Sequence, residues 1–433
     1  MHQMKYSSIA FDVPIREELI AAELESNRVP LPKMTPEEHI RDALAHPIGT
    51  GTLDTVVKAG ETVCVVIPDT TRKWQSPAIY VPILVEELNA CGVRDEDILI
   101  VSATGTHRRQ TREEWAGLVG EEILGRVRCE DHVCTDDANL KFMGVTSRGT
   151  PVWLNAHAMA CDKLILTGGA VYHFLAGYGG GRKYVLPGIA GRETIMKNHN
   201  LALNEGFGSG SNPMVRSANL TGSNPFHADM AEAAELAKPC FLLNVVADGD
   251  FNIIRAFAGD YIEAHAAACK LVDDIDGVYV EERTPLVIAS AGGYPKDINL
   301  YQTSKTLSNA RAVVADGGTM ILLSECRESF GDADCARQIC GFDNMLDRER
   351  DLRENFSIGA YVGFLFCESA ERYRFIMVTD IPKEKFANTK IHAVKTLGEA
   401  LALAKELNGG SLELRTTLLP HGANTLPKFR DGQ

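Results

Sequence analysis

Residues 63–72 read VCVVIPDTTR, an apolar, largely β-branched run that passes straight into a polar turn. Five such residues make a strand covered on both faces, as in a parallel sheet. The pattern recurs along the chain. ILIVS at 98–102 leads into ATGTH at 103–107, KLILT at 163–167 into GGAVYH at 168–173, and LVIAS at 286–290 into AGGYPKD at 291–297. MILLS at 320–324 and RFIMVT at 374–379 add two further runs. Helical patterns fill the intervals at 79–90, 304–312 and 397–407. This alternation predicts an α/β fold of two domains, each with a mainly parallel sheet flanked by helices. In such sheets ligands bind outside the carboxyl ends of the strands. The polar motifs all fall at that end, so the pattern predicts an active site in the interdomain cleft.

The acidic stretch DDIDGVYVEERTP at 273–285 marks the expected boundary. The first domain is expected to span 1–275 and the second 282–400, with the turn-rich segment 405–433 packing back on the first. Residues 206–225 (GFGSGSNPMVRSANLTGSNP) read as a long loop, with Asn224 capping a helix that opens at Pro225.

Composition narrows the function classes. A net charge of −14 over 433 residues argues against non-specific binding to nucleic acid or to an anionic membrane, both of which need basic surface. Residues 1–14 hold no apolar segment long enough for a signal peptide, and no run of about 18 apolar residues occurs to span a membrane. The eleven cysteines form no CxxC pattern and read as reduced thiols of a cytoplasmic protein.

The densest polar segment is HFLAGYGGGRK at 173–183. Gly179, Gly180 and Gly181 allow close approach of backbone amides to an anion, and Arg182 and Lys183 add positive charge. The Gly-Lys-Ser/Thr order of a nucleotide P-loop is absent. His107, His173 and His199 fit no short zinc signature, yet all fall in the expected crevice loops. Imidazole serves as general base, general acid or metal ligand near neutrality. Two bases on opposite faces of one carbon would suit inversion of a stereocentre. Arg72 offers a bidentate fork for carboxylate or phosphate, with Asp69 in the same turn. Tyr301, Gln302 and Lys305, at i, i+1 and i+4, share one side of the helix they enter.

These motifs together resemble the nickel-pincer lactate racemase family. The resemblance rests on PDTTR at 68–72, GTHRR at 105–109, HFLAGYGGGRKYVLPGIA at 173–190, NH at 198–199, SNPFHADMAEAA at 223–234 and GGYPKDINLYQTSK at 292–305. It implies a racemase or epimerase acting at C2 of a 2-hydroxy acid, lactate or a longer relative. It implies a pyridinium mononucleotide whose two sulfur arms pinch nickel, joined by a thioamide to Lys183, with His199 completing the metal's coordination. His107 and His173 correspond to the acid/base pair. Asp69, Thr71, Arg72, Gly180, Gly181, Tyr301, Gln302 and Lys305 are implied at the cofactor, and Arg72, Gln302 and Lys305 at the substrate. The implied chemistry removes the α-hydrogen as hydride, leaving a planar 2-keto acid to which hydride returns on the other face. Cofactor biosynthesis proteins are the implied transient partners.

Two departures stand out. Lys73 and Trp74 follow Arg72 where a proline-containing stretch is expected, and Ser329 stands where a glycine is expected. Two other readings use the same residues: a phosphate- or nucleotide-using enzyme on the same scaffold, and a non-catalytic protein that binds the cofactor or a hydroxy acid. The intact histidine pair disfavours the second.

Overall fold

The computed structural model describes residues 2–30, 33–248 and 251–429. Val63–Pro68 is buried at every position and sits inside a six-stranded sheet. Its neighbours are Ile98–Ala103 on one side and Lys163–Gly169 on the other, both parallel, with Val65 level with Ile100 and Ile165. Beyond them lie Arg128–Asp131 at one edge and Phe241–Ala247 then Ile253–Gly259 at the other. Only the last strand runs antiparallel to its neighbour. Side chains such as Val65, Ile67, Ile100 and Ile165 pack with Tyr80, Leu84 and Leu118 of the covering helices. Each large apolar side chain buried this way contributes about 1.5–3 kcal/mol.

The second six-stranded sheet is wholly parallel. Its order is His392–Val394, Arg374–Val378, Val314–Leu323, Thr284–Ser290, Thr416–Leu419 and Ile20–Glu23. Leu286, Ile288, Ile321, Ile376 and Leu418 form its core with Ala400 and Leu401 of the helix Leu397–Leu407.

The chain divides into two units, and neither is continuous in sequence. One comprises Val29–Ala202 and Pro213–Asp273 and holds the first sheet. The other comprises Met1–Arg28, Leu203–Asn212 and Asp274–Gln433 and holds the second. This differs from the expected division at three places. Residues 203–212, expected in the first domain, belong to the second unit. The N-terminal strand Ile20–Glu23 belongs to the second sheet. The segment 405–433, expected to pack back on the first domain, contributes Thr416–Leu419 to that same sheet, beside Thr284–Ser290. Residues 430–433 of that segment lie outside the described residues. A strand's neighbour in a sheet is set by register and side-chain fit across the chain, which a turn-rich tail does not announce.

Among the described residues no helix is long and apolar enough to cross a membrane. All eleven cysteines are free thiols.

Candidate functional site

The turn after Val63–Pro68 carries the first part of the site. Asp69 precedes the 3-10 turn Thr70–Gln75 but its side chain does not cap it. The carboxylate is buried and faces His107 instead, with Nδ1 of the imidazole 2.6 Å from Oδ2. Thr71 donates its hydroxyl to Oδ1 at 2.7 Å, and Arg72 reaches the same hydroxyl at 2.8 Å. Burial works to raise the Asp69 pKa, but the hydrogen bond and charge of His107, then Thr71 and Arg72, outweigh it and hold the carboxyl below its ordinary range. As a carboxylate Asp69 accepts the Nδ1 proton of His107. That leaves the Nε2 lone pair of His107 as the basic position.

His173 follows Lys163–Gly169 in a short ladder with Gly177–Tyr178. Its Nδ1 accepts from the backbone N–H groups of Leu175 and Ala176, each at 3.2 Å. The neutral ring therefore carries its proton on Nε2. The two expected acid/base histidines thus stand in opposite tautomers, and the cause is local in each case: a carboxylate behind one ring, two amides behind the other.

Lys183 lies in the turn Gly181–Tyr184. Burial first, then the positive charge of Arg72, outweighs the pull of Asp69 and brings its amine down to about 7. Tyr184 fixes this turn by donating its hydroxyl to Gln75 Oε1 at 2.7 Å. His199 sits on the helix Arg192–Asn200. Its Nδ1 donates to Ile195 O at 2.7 Å, and the Phe226 ring stands edge-on to it at 4.9 Å between centroids. Burial, aided by the charge of Lys183 and opposed by the Ile195 hydrogen bond, takes the imidazole down to about 4. A neutral ring with its proton committed at Nδ1 bears its lone pair at Nε2, the form in which imidazole ligates metals. Neighbouring Asn198 donates to Phe226 O and to Asp229 Oδ2, both at 3.0 Å, tying this helix to the helix Pro225–Ala237. Asp69, Arg72, His107, Lys183 and His199 are thus joined by hydrogen bonds or mutual charge within one unit.

The glycines of the 173–183 segment serve close packing. The Gly179 N–H donates to Val171 O at 2.7 Å, and that of Gly181 to Asn244 Oδ1 at 3.0 Å. A Cβ on Gly180 would meet Asn244 Oδ1 at 2.6 Å, and one on Gly181 would meet the His265 ring at 2.7 Å, with positive φ at both. Tyr301, Gln302 and Lys305 lie in the other unit, on the helix Leu300–Val313, where Lys305 Nζ donates to Gln302 Oε1 at 3.0 Å. Of the departures, Lys73 lies against Gly117 of the helix Arg112–Val119, and the Trp74 ring packs on Phe251 at 5.7 Å. Ser329 adopts φ 57°, the left-handed region that glycine takes without strain.

Sequence reasoning passed over three positioning residues. Gln110 accepts from Thr70 N–H at 2.6 Å and donates to Asp131 Oδ1 at 3.0 Å. Gln75 holds Tyr184. Asn244 is a lone amide inside the apolar strand Phe241–Ala247, and that position was the available signal.

The sequence matches the description "Lactate racemase N-terminal domain" over residues 6–210 and "Lactate racemase C-terminal domain" over residues 280–426. It is 33% identical over 401 residues to a lactate racemase of Lactiplantibacillus plantarum, covering 92% of each chain. It is 30% identical over 432 residues to a lactate racemase of Thermoanaerobacterium thermosaccharolyticum, covering 97% of each. The solved apoprotein from the latter organism superposes with a TM-score of 0.86 over 98% of this chain and 99% of that one, at 30% identity. A protein from Thermotoga maritima shares the fold at 19% identity, with a TM-score of 0.62 over 93% of this chain and all of the other.

Proposed function

Since this chain belongs to the lactate racemase family, we propose that it is an isomerase that inverts C2 of a 2-hydroxy acid, lactate or a longer relative. The observation that carries this reading is the pairing of an Asp69-backed His107 with a Lys183 amine lowered to about 7 in the same charged cluster.

The residues fit the nickel-pincer nucleotide that the sequence resemblance implies. A thioamide link requires an unprotonated amine, and Lys183 holds a substantial unprotonated fraction at neutral pH. Nickel with sulfur and carbon donors accepts an imidazole, and His199 presents a neutral ring with its lone pair at Nε2. When bound, the nucleotide supplies the hydride acceptor and donor.

The chain's own side chains do the rest. Arg72 binds the substrate carboxylate, its fork matching the two oxygens. His107 takes the hydroxyl proton at Nε2 while Asp69 stabilises the resulting imidazolium. His173 presents its Nε2 proton to the substrate oxygen. Thr71 keeps Asp69 and Arg72 in register, and the Gly180–Gly181 turn sets the backbone before Lys183. Tyr301, Gln302 and Lys305 carry the polar and cationic roles that the resemblance implies toward cofactor and substrate. Biosynthetic proteins deliver the nucleotide, and the free cysteines suit a reducing cytoplasm.

Intact-mass and nickel analysis of protein made together with those biosynthetic proteins tests the attachment. The parent gains the nucleotide's mass and nickel, and Lys183→Ala gains neither. A full adduct on Lys183→Ala would remove this lysine from the account.

A further inference from the structure

The motif AGGYPKD at 291–297 takes no part in the chemistry above. It leaves the strand Thr284–Ser290 where the second sheet changes direction, with Val314–Leu323 on one side and Thr416–Leu419 on the other. Ligands of parallel sheets bind outside the strands' carboxyl ends at such a point. Two lysines and an imidazole from separate segments of this unit line the turn there. A Cβ on Gly292 would stand 3.4 Å from Lys296 Cδ and 3.7 Å from His421 Nδ1, and one on Gly293 would stand 3.8 Å from Lys5 Cδ. Lys5 comes from the strand Gln3–Tyr6, and His421 lies just past Thr416–Leu419. Both glycines have positive φ, 101° and 75°, and the Gly293 N–H donates to no group among the described residues.

The charges around His421 are Lys296, Lys5 and, on the acidic side, Glu25. Burial first, then the two lysines, keep its imidazole below the ordinary value. Asp276 also interacts with Lys296. The two lysines set a positive potential at His421, which Glu25 partly offsets.

We propose that Lys5, Lys296 and His421, around the Gly292–Gly293 turn, form a binding site for a phosphate group. Two lysines with an imidazole that protonates on binding offer up to three positive charges, which suits a phosphate dianion better than a carboxylate. None of these residues has a role in the racemase chemistry proposed above, although Gly292, Gly293 and Lys296 lie in the stretch that carries the family resemblance.

Calorimetric titration of the full-length protein tests it, with inorganic phosphate, a nucleoside 5′-monophosphate and acetate as probes. Phosphate should bind, and Lys296→Met and His421→Gln should each weaken it about tenfold or more, as loss of a charge-assisted hydrogen bond does. Lys5→Met, at an exposed position, should weaken it without disturbing the fold, which circular dichroism checks. Arg72→Met should bind phosphate as the parent does. Tighter binding of the monophosphate that Lys296→Met and His421→Gln both weaken would identify an ester as the ligand, and equal binding the free ion; tighter binding that neither variant alters belongs to the other unit and would count against the site. Unchanged affinity in Lys5→Met and His421→Gln, loss of binding in Arg72→Met alone, or acetate binding as tight as phosphate would each overturn it.

Discussion

Replacing Asp69 by Asn keeps the side chain's size and removes the charge that fixes the His107 tautomer. Turnover of the cofactor-loaded enzyme should fall roughly hundredfold or more, with KM little changed, because the loss acts on proton transfer. Steady-state kinetics check this; a near-normal kcat would show that His107 works without its carboxylate. Lys183 gives a prediction with a defined sign. Its ordinary value is 10.5, and the fold lowers it to about 7. Below pH 7 the apoprotein therefore carries the full cost of burying an ammonium. Between pH 7 and 10.5 the unfolded chain binds the extra proton, so this cost shrinks as pH rises. Lys183→Met should raise the apoprotein's Tm at pH 6 and lose that advantage toward pH 10. An equal gain at both values would contradict the buried charge. At this scale the sequence singled out His107, His173, Lys183 and His199 as candidates, because each follows an apolar run or sits in or near a dense polar motif. Asn244, Gln75 and Gln110 were passed over because an amide's role depends on which distant groups it meets, backbone or side chain.

The helix Pro225–Ala237 shows what an element contributes. Asn224, fully buried, accepts from His227 N–H at 3.2 Å and donates to Leu175 O at 2.9 Å and Asn219 O at 3.0 Å. It thus caps the helix and anchors the loop that carries His173. Asn224→Ala should cost about 2 kcal/mol from the cap and the orphaned carbonyls together. Denaturant unfolding measures it, and a change below about 0.5 kcal/mol would reduce the residue to a loop filler. This cap was legible from the Asn-Pro order. The strand Val314–Leu323 was only half legible: its first residues, VADGGT, are polar, so the visible run began at Met320. Ser329 stands in the left-handed region, a physical reason for the glycine that the resemblance leads one to expect, and nothing in the structure explains the serine.

For the whole molecule, apolar runs with polar ends were enough to read two mainly parallel sheets and the end of the strands at which the motifs follow. They did not reveal that both units are discontinuous, with Ile20–Glu23 and Thr416–Leu419 neighbours in one sheet. That pairing spans almost the full chain and depends on long-range register rather than local pattern. Family membership rests on matches along both halves, and the chemistry proposed above rests on the cluster around Asp69 and Lys183. The most direct test is a chiral assay of the cofactor-loaded enzyme, followed to equilibrium from each pure enantiomer of lactate and of longer 2-hydroxy acids. Both enantiomers of at least one acid should converge on the same racemic mixture. Full retention of optical purity across the series, with nickel and the Lys183 adduct in place, would contradict the account.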